Sequence, residues 1–96
     1  MAKTTADGKS RANAAFGRTL YALRIEKGYS QEELSFRCEI DRSYVSQLER
    51  GEKEPCLGIL VKLSEGLGTA LSELFRRFEI DGGRPSTTVA RNARVR

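Results

Sequence analysis

The sequence contains no histidine among its 96 residues, so the commonest general base and the commonest metal ligand are both missing. Its two cysteines, Cys38 and Cys56, are too few for a disulfide framework or a four-ligand zinc site. No apolar run approaches the roughly 18 residues that cross a bilayer, and residues 1–12 lack the hydrophobic stretch of a secretory signal. We therefore expect no enzyme, no metal or other cofactor, no membrane association and a cytoplasmic location.

The excess of basic residues lies at the two ends of the chain. The formal net charge is +4, from 17 basic and 13 acidic residues. Residues 1–12 carry three basic and one acidic side chain, residues 79–96 carry four and two, and residues 13–78 carry ten of each. Basic ends beside a neutral centre favour a polyanionic partner such as nucleic acid. Flanks that only improve solubility have the same composition, so both interpretations stay open.

The two ends also carry few signals for secondary structure. Residues 82–88 combine glycine, proline and small hydroxyl residues, which interrupt helices and strands. We therefore divide the chain into a basic flexible arm at residues 1–12, one folded domain at residues 13–80 and a basic flexible tail at residues 81–96.

Between these ends, apolar residues recur at the helical period, and no segment alternates as a strand does. Glycine, proline and capping residues divide the region into five short helices, which predicts an all-α fold. The first helix is expected at residues 13–27, the fourth at residues 57–67, and the fifth after Thr69 as its N-cap. The residues expected to form the core are Phe16, Leu20, Leu23, Leu34, Cys38, Val45, Leu48, Leu60, Leu63 and Leu67.

Only three residues, 39–41, separate the second helix from the third. Ser30 is placed to cap the second helix, and Glu33 three residues later completes a capping box. Asp41 is placed to cap the third helix, which ends before Gly51. Because so short a connection forces the two helices to cross steeply, the pattern is typical of a helix-turn-helix unit.

The third helix has two different faces. Val45 and Leu48 point to the core, whereas the opposite face is polar and carries no carboxylate of its own. The residues on that face are Arg42, Ser43, Ser46, Gln47 and Arg50. In the major groove of DNA, arginine can donate two hydrogen bonds to guanine, and glutamine can pair with adenine. An ordinary solvated helix face is equally polar, so the residues alone leave both interpretations open.

Two short motifs carry a resemblance to a known family. They are Ser30-Gln31-Glu32-Glu33-Leu34 and Leu48-Glu49-Arg50-Gly51. With them, residues 20–75 resemble the Xre/Cro/cI-type, lambda-repressor-like helix-turn-helix regulators. The sequence around Tyr44 is similar to that of restriction–modification controller proteins and also to that of phage-type repressors. The resemblance implies a compact five-helix domain that binds a double-stranded DNA operator as a homodimer, with the third helix in the major groove. No small-molecule ligand is implied.

The resemblance also implies roles for individual residues. The residues implied in DNA binding are Ser30, Gln31, Arg42, Ser43, Tyr44, Ser46, Gln47, Arg50 and Lys53. Gln31 corresponds to a phosphate contact at the start of the second helix, and Tyr44, Arg50 and Lys53 correspond to positions close to the DNA backbone. Arg24 and Glu49 correspond to a partly buried ion pair that joins the first and third helices.

The chain departs from the family pattern at three points. Glu39 stands in the turn where glycine is usual, and a left-handed backbone at a non-glycine residue costs about 1–2 kcal/mol. Cys56 precedes the fourth helix where serine or threonine is common, either as a small tolerated residue or as a redox-sensitive thiol. Glu52 and Glu54 flank Lys53, which makes this loop less basic.

The fifth helix is rich in large apolar residues for so small a domain. We expect Leu74, Phe75 and Phe78 to form a dimer interface, because an exposed apolar patch usually marks one. The alternative function is a protein-interaction module, such as an antitoxin-type protein that grips a partner protein, and Phe78 and Ile80 are compatible with it. DNA binding should weaken steeply with salt, whereas apolar partner binding should not.

Overall fold

The computed structural model describes the backbone of residues 2–82 and the side chains of residues 11–82. Every regular element in this part of the chain is a helix, which confirms the all-α fold. The five helices are α1 (Ala2–Lys27), α2 (Gln31–Cys38), α3 (Arg42–Glu49), α4 (Leu57–Leu67) and α5 (Leu71–Ile80). Among the described residues, no helix is both long and apolar enough to span a membrane.

The first helix starts earlier than the sequence pattern indicates. Helix α1 begins at Ala2 rather than near Asn13, which adds eleven residues to its N-terminal end. The helix therefore extends through residues 2–12 of the predicted arm, where alanine, lysine and arginine favour a helix and no proline stops it. The predicted tail, from residue 83 onward, lies outside the described residues.

The start of α5 differs from its prediction by one residue. The N-cap is Ala70, not Thr69. Thr69 instead closes the end of α4: its amide donates to the Ser64 carbonyl at 3.0 Å, and its own carbonyl accepts from Ser64 Oγ at 2.6 Å. Gly68 between them has a φ of 67°, the left-handed conformation that commonly ends a helix.

The predicted core residues lie in one cluster at the centre of the helices. All ten are buried except Leu60, which is partly buried and packs against the others. Cys38 is a buried thiol, and burial raises its pKa to about 11. It lies where α2 crosses α4, since a Cβ added at Gly66 would stand 2.3 Å from Cys38 Sγ. Cys56, by contrast, is exposed.

Helix α1 supports α3 through a close backbone contact. A Cβ added at Gly17 would lie 2.4 Å from the Glu49 carbonyl oxygen and 2.6 Å from that of Leu48. Only glycine allows this approach, so Gly17 determines where the C-terminal end of α3 rests on α1.

Helix α5 is fastened to the other side of α1. Arg77 Nη2 donates to Glu26 Oε2 at 2.7 Å, and the buried Thr19 hydroxyl donates to the Asp81 carboxylate. The rings of Phe16 and Phe78 meet at a centroid distance of 6.2 Å. Helix α1 thus connects α5 to the helix-turn-helix unit.

Candidate nucleic-acid interface

The turn between α2 and α3 has the predicted length and an unusual conformation. Glu39 has φ 58° and ψ 45°, which is left-handed, and it is the one non-glycine residue with positive φ in the described part of the chain. The amide of Ile40 donates to the Ser35 carbonyl at 3.1 Å, closing the end of α2. Two short helices therefore meet across residues 39–41 as a helix-turn-helix unit requires.

The N-terminus of α2 is capped by a side chain. Ser30 Oγ accepts a hydrogen bond from the Glu33 amide at 3.0 Å, as the capping pattern predicts. The Glu33 carboxylate also accepts from Arg37 Nε at 3.1 Å, one helical turn further on. Ser30 itself is exposed, so this end of the helix is open to a ligand.

A buried ion pair holds α3 against α1. Arg24 Nε donates to Glu49 Oε2 at 2.6 Å, and Arg24 Nη2 donates to Glu49 Oε1 at 3.0 Å. Their side chains are only 10% and 6% exposed. The pKa of Arg24 is raised, mainly by its hydrogen bond to Glu49 and despite the opposing effect of burial. The pair implied by the resemblance is thus present and bidentate.

Two further contacts complete this buried cluster. Arg24 Nη1 donates to the Tyr29 carbonyl at 2.9 Å, just before α2. Gln31 Nε2 donates to Glu49 Oε1 at 2.9 Å. One carboxylate therefore connects α1, the start of α2 and the end of α3, and it fixes the Gln31 amide at the N-terminus of α2.

The polar face of α3 lies at the surface. Arg42 and Ser43 are exposed, and Ser46 and Gln47 are half-buried. Glu49, the one acidic residue within α3, points into the buried cluster instead. Tyr44 is half-buried against the core, and burial raises its pKa. The helix itself therefore presents arginine, serine and glutamine outward and keeps its negative charge inside.

At the C-terminal end of this face, a carboxylate lies next to Arg50, although the sequence analysis predicted a face without one. Arg50 follows α3 directly, and its guanidinium is bound to the Glu52 carboxylate and to the Ser46 hydroxyl. The carboxylate comes from the next loop, which the helical spacing did not take into account. Lys53, next to Glu52, is exposed.

Sequence reasoning missed two residues of α1 beside this surface. Arg18 and Tyr21 line a cleft of about 560 Å³ together with Gln31, Ser46 and Arg50. The signal was Gly17, because a glycine inside a helix often marks a close approach of another backbone. Arg18 and Tyr21 follow Gly17 by one and four positions, and all three line the cleft beside that approach. In the described part of the chain, no group of three His, Cys, Asp or Glu side chains could hold a metal ion.

The three residues expected at a dimer interface are not equally available. Leu74 is fully buried in the core, so its assignment to the interface was wrong: it has no surface to offer. Phe78 is partly buried beside Phe16, and Phe75 is 40% exposed. Phe75 and Phe78 line an apolar groove of about 220 Å³ between α1, α5 and the loop before α4.

The sequence of this chain is similar to a protein family and to two control proteins. A family profile described as Helix-turn-helix matches residues 20–74. Control protein C.MunI from Mycoplasma sp is 45% identical over 65 residues, which cover 67% of this chain and 88% of that protein. Control protein C.BamHI from Bacillus amyloliquefaciens is 37% identical over 60 residues, which cover 62% of this chain and 74% of that protein.

Solved structures show the same architecture. The restriction–modification controller protein C.AhdI from Aeromonas hydrophila is 43% identical, with a TM-score of 0.64 over 66% of this chain and 96% of that one. The controller protein C.Esp1396I, solved as a tetramer in complex with its natural 35 base-pair operator, has a TM-score of 0.69 at 24% identity. That match covers 73% of this chain and 92% of that one, and it supports the fold alone. The chain belongs to the helix-turn-helix family of transcriptional regulators.

Proposed function

We propose that this protein is a sequence-specific DNA-binding regulator of the restriction–modification controller type, acting in the cytoplasm as a homodimer on a pseudo-palindromic operator. The observation that carries this proposal is the outer face of α3. Arg42 and Gln47 lie on it, while the carboxylate of Glu49 is turned inward. A major groove about 12 Å wide admits one such helix, and these two side chain types can read guanine and adenine.

Polar and basic groups next to α3 could bind the phosphates of the DNA backbone. The amide of Gln31 has two N–H donors, of which one is given to Glu49, and the other is left for a phosphate oxygen. The exposed N-terminal end of α2 adds the favourable end of a helix dipole. Lys53 is an exposed cation in the loop after α3. These groups would position α3 without reading sequence.

The relatives support DNA binding over the partner-binding alternative. C.MunI and C.BamHI are control proteins, and the family profile that matches residues 20–74 is a helix-turn-helix. An antitoxin-type function, which would use the same fold mainly to grip another protein, has no comparable support from these similarities.

Dimerisation is part of the proposal, with a smaller interface than the sequence suggested. Phe75 and the exposed part of Phe78 would form its centre, and the adjoining groove would receive apolar side chains of a second copy. A two-fold axis beside α5 makes such a contact isologous. It would also have to set two α3 helices about 34 Å apart, one turn of DNA.

Selection from a random DNA pool tests the DNA-binding part. We expect purified protein to enrich one sequence with two inverted half-sites, and its affinity for that sequence to fall steeply as salt rises. Enrichment of no sequence, or binding that salt does not weaken, would overturn the proposal.

The dimer is tested separately by sedimentation equilibrium at micromolar concentration. Phe75→Asp is the informative variant, because Phe78 also packs on Phe16 and its replacement would disturb the fold. We expect the wild type to sediment as a dimer and Phe75→Asp as a folded monomer with reduced operator affinity. Monomeric wild-type protein would rule out the α5 interface.

A further inference from the structure

A carboxylate outside α3 holds the arginine at its end. Arg50 Nε donates to Glu52 Oε2 at 2.8 Å, and Arg50 Nη2 donates to Glu52 Oε1 at 3.1 Å. The two side chains are 55% and 50% exposed. Arg50 Nη1 also donates to the Ser46 hydroxyl, one helical turn back. The guanidinium is therefore tied on two sides to neighbours on the proposed DNA-binding surface.

These bonds leave part of the guanidinium unused. Arginine has five N–H donors, three of them are engaged here, and the two that remain belong to Nη1 and Nη2. A pair of donors on the terminal nitrogens suits two neighbouring acceptors, such as two phosphate oxygens or guanine O6 and N7. Glu52 therefore occupies one edge of the guanidinium and leaves donors for a second partner.

The protonation states agree with this arrangement. The pKa of Arg50 is raised by its hydrogen bond to Glu52, and the pKa of Glu52 is lowered by the same bond. Glu52 therefore stays a carboxylate, with both oxygens available to accept.

We infer that Glu52 is a positioning residue for DNA binding, which acts by holding the Arg50 guanidinium so that its remaining donors meet a pair of acceptors on the DNA. The inference rests on the proposed function. Its physical reason is pre-organisation: an arginine already held in one orientation loses less side-chain entropy when it binds. If Glu52 only repelled DNA through its negative charge, its removal would have the opposite effect.

A double-mutant cycle separates these two effects by their sign. In the wild-type background, Glu52→Ala should weaken DNA binding about three- to tenfold, because Arg50 loses its orientation. In the Arg50→Ala background, Glu52→Ala should leave binding unchanged or tighten it, since only repulsion is left to remove. Tighter binding of the single variant Glu52→Ala, or equal losses in both backgrounds, would overturn the inference.

Binding to two duplexes shows whether the acceptors that Arg50 meets belong to a phosphate or to a guanine. Equal losses on the selected operator and on a shuffled duplex would identify a phosphate, and a loss confined to one G·C pair of the operator would identify guanine. Both results require the cycle above to show coupling between Glu52 and Arg50.

A measurement on the DNA-free protein keeps this test independent of the proposed function. In nitrogen NMR spectra, the Arg50 Nε–H signal should be protected from solvent exchange in the wild type and lose that protection in Glu52→Ala. Unchanged exchange would contradict the positioning role even if DNA binds. A protein that binds no DNA but shows this protection would contradict the proposed function and leave the ion pair established.

Discussion

Two arginine–glutamate pairs lie at the C-terminal end of α3 and differ mainly in their exposure to water. Arg24 and Glu49 are about nine-tenths buried, whereas Arg50 and Glu52 are about half exposed. Both are bidentate. If one partner of the buried pair is removed, the other charge stays in the interior without a partner. If one partner of the exposed pair is removed, water can solvate the charge that remains.

This difference in exposure indicates that the buried pair supports the fold, whereas the exposed pair lies on the surface proposed to recognise DNA. The buried pair, together with Gly17, fixes how α3 rests on α1. The exposed pair lies beside Ser46 on the surface proposed to meet DNA. Changes on the inner side of α3 should therefore alter stability first, and changes on its outer side should alter binding first.

The largest effect is expected when the buried pair is broken. Glu49→Ala should destabilise the fold by about 3–5 kcal/mol, because Arg24 would stay buried without its partner. Thermal unfolding measures this loss. Glu52→Ala is the matched control, and its melting temperature should equal that of the wild type. An unchanged melting temperature for Glu49→Ala would show that the buried pair does not support the fold.

A smaller effect is expected at the crossing of α1 and α3. Gly17→Ala should destabilise by about 1–3 kcal/mol, because its Cβ would meet two backbone carbonyls that cannot move independently. Gly58→Ala is the control within a helix: nothing lies within 4 Å of its added Cβ, so it should stabilise by up to about 1 kcal/mol. If both variants unfold at the same denaturant concentration, the close approach at Gly17 is not a constraint.

The smallest effect is expected in the turn. Glu39→Gly should stabilise by about 1 kcal/mol, because glycine adopts the left-handed conformation without strain. Glu32→Gly, inside α2, should instead destabilise by a similar amount. Chemical denaturation of the two variants gives the comparison, and a loss of stability in Glu39→Gly would mean that the turn carries no strain.

Local signals predicted most of the fold. Helices α2, α3 and α4 begin and end within about one residue of their expected limits. Ser30 caps the start of α2, and Gly51 and Gly68 follow the ends of α3 and α4. The core followed from the helical period, since Leu20, Leu34 and Leu63 recur at inward positions and are fully buried. The left-handed turn at Glu39 followed from the resemblance rather than from its residue type.

The errors come from features that the period of the apolar residues does not encode. The early start of α1 lies at residues 2–12, where the sequence has no large apolar residue from which a helical period could be read. Leu74 was assigned to an interface because the number of apolar residues in α5 does not tell which of them the other helices cover. The Arg50–Glu52 pair joins the residue after α3 to the following loop, where helical spacing gives no guidance.

Alanine variants of Arg42 and Gln47 test whether the outer face of α3 reads DNA sequence. Binding is measured on the selected operator and on a shuffled duplex, with Arg76→Ala in α5 as the control. Each α3 variant should lose about 1–3 kcal/mol on the operator and much less on the shuffled duplex. Arg76→Ala should bind both duplexes as the wild type does. Equal losses on the two duplexes for both α3 variants would contradict base reading by this face.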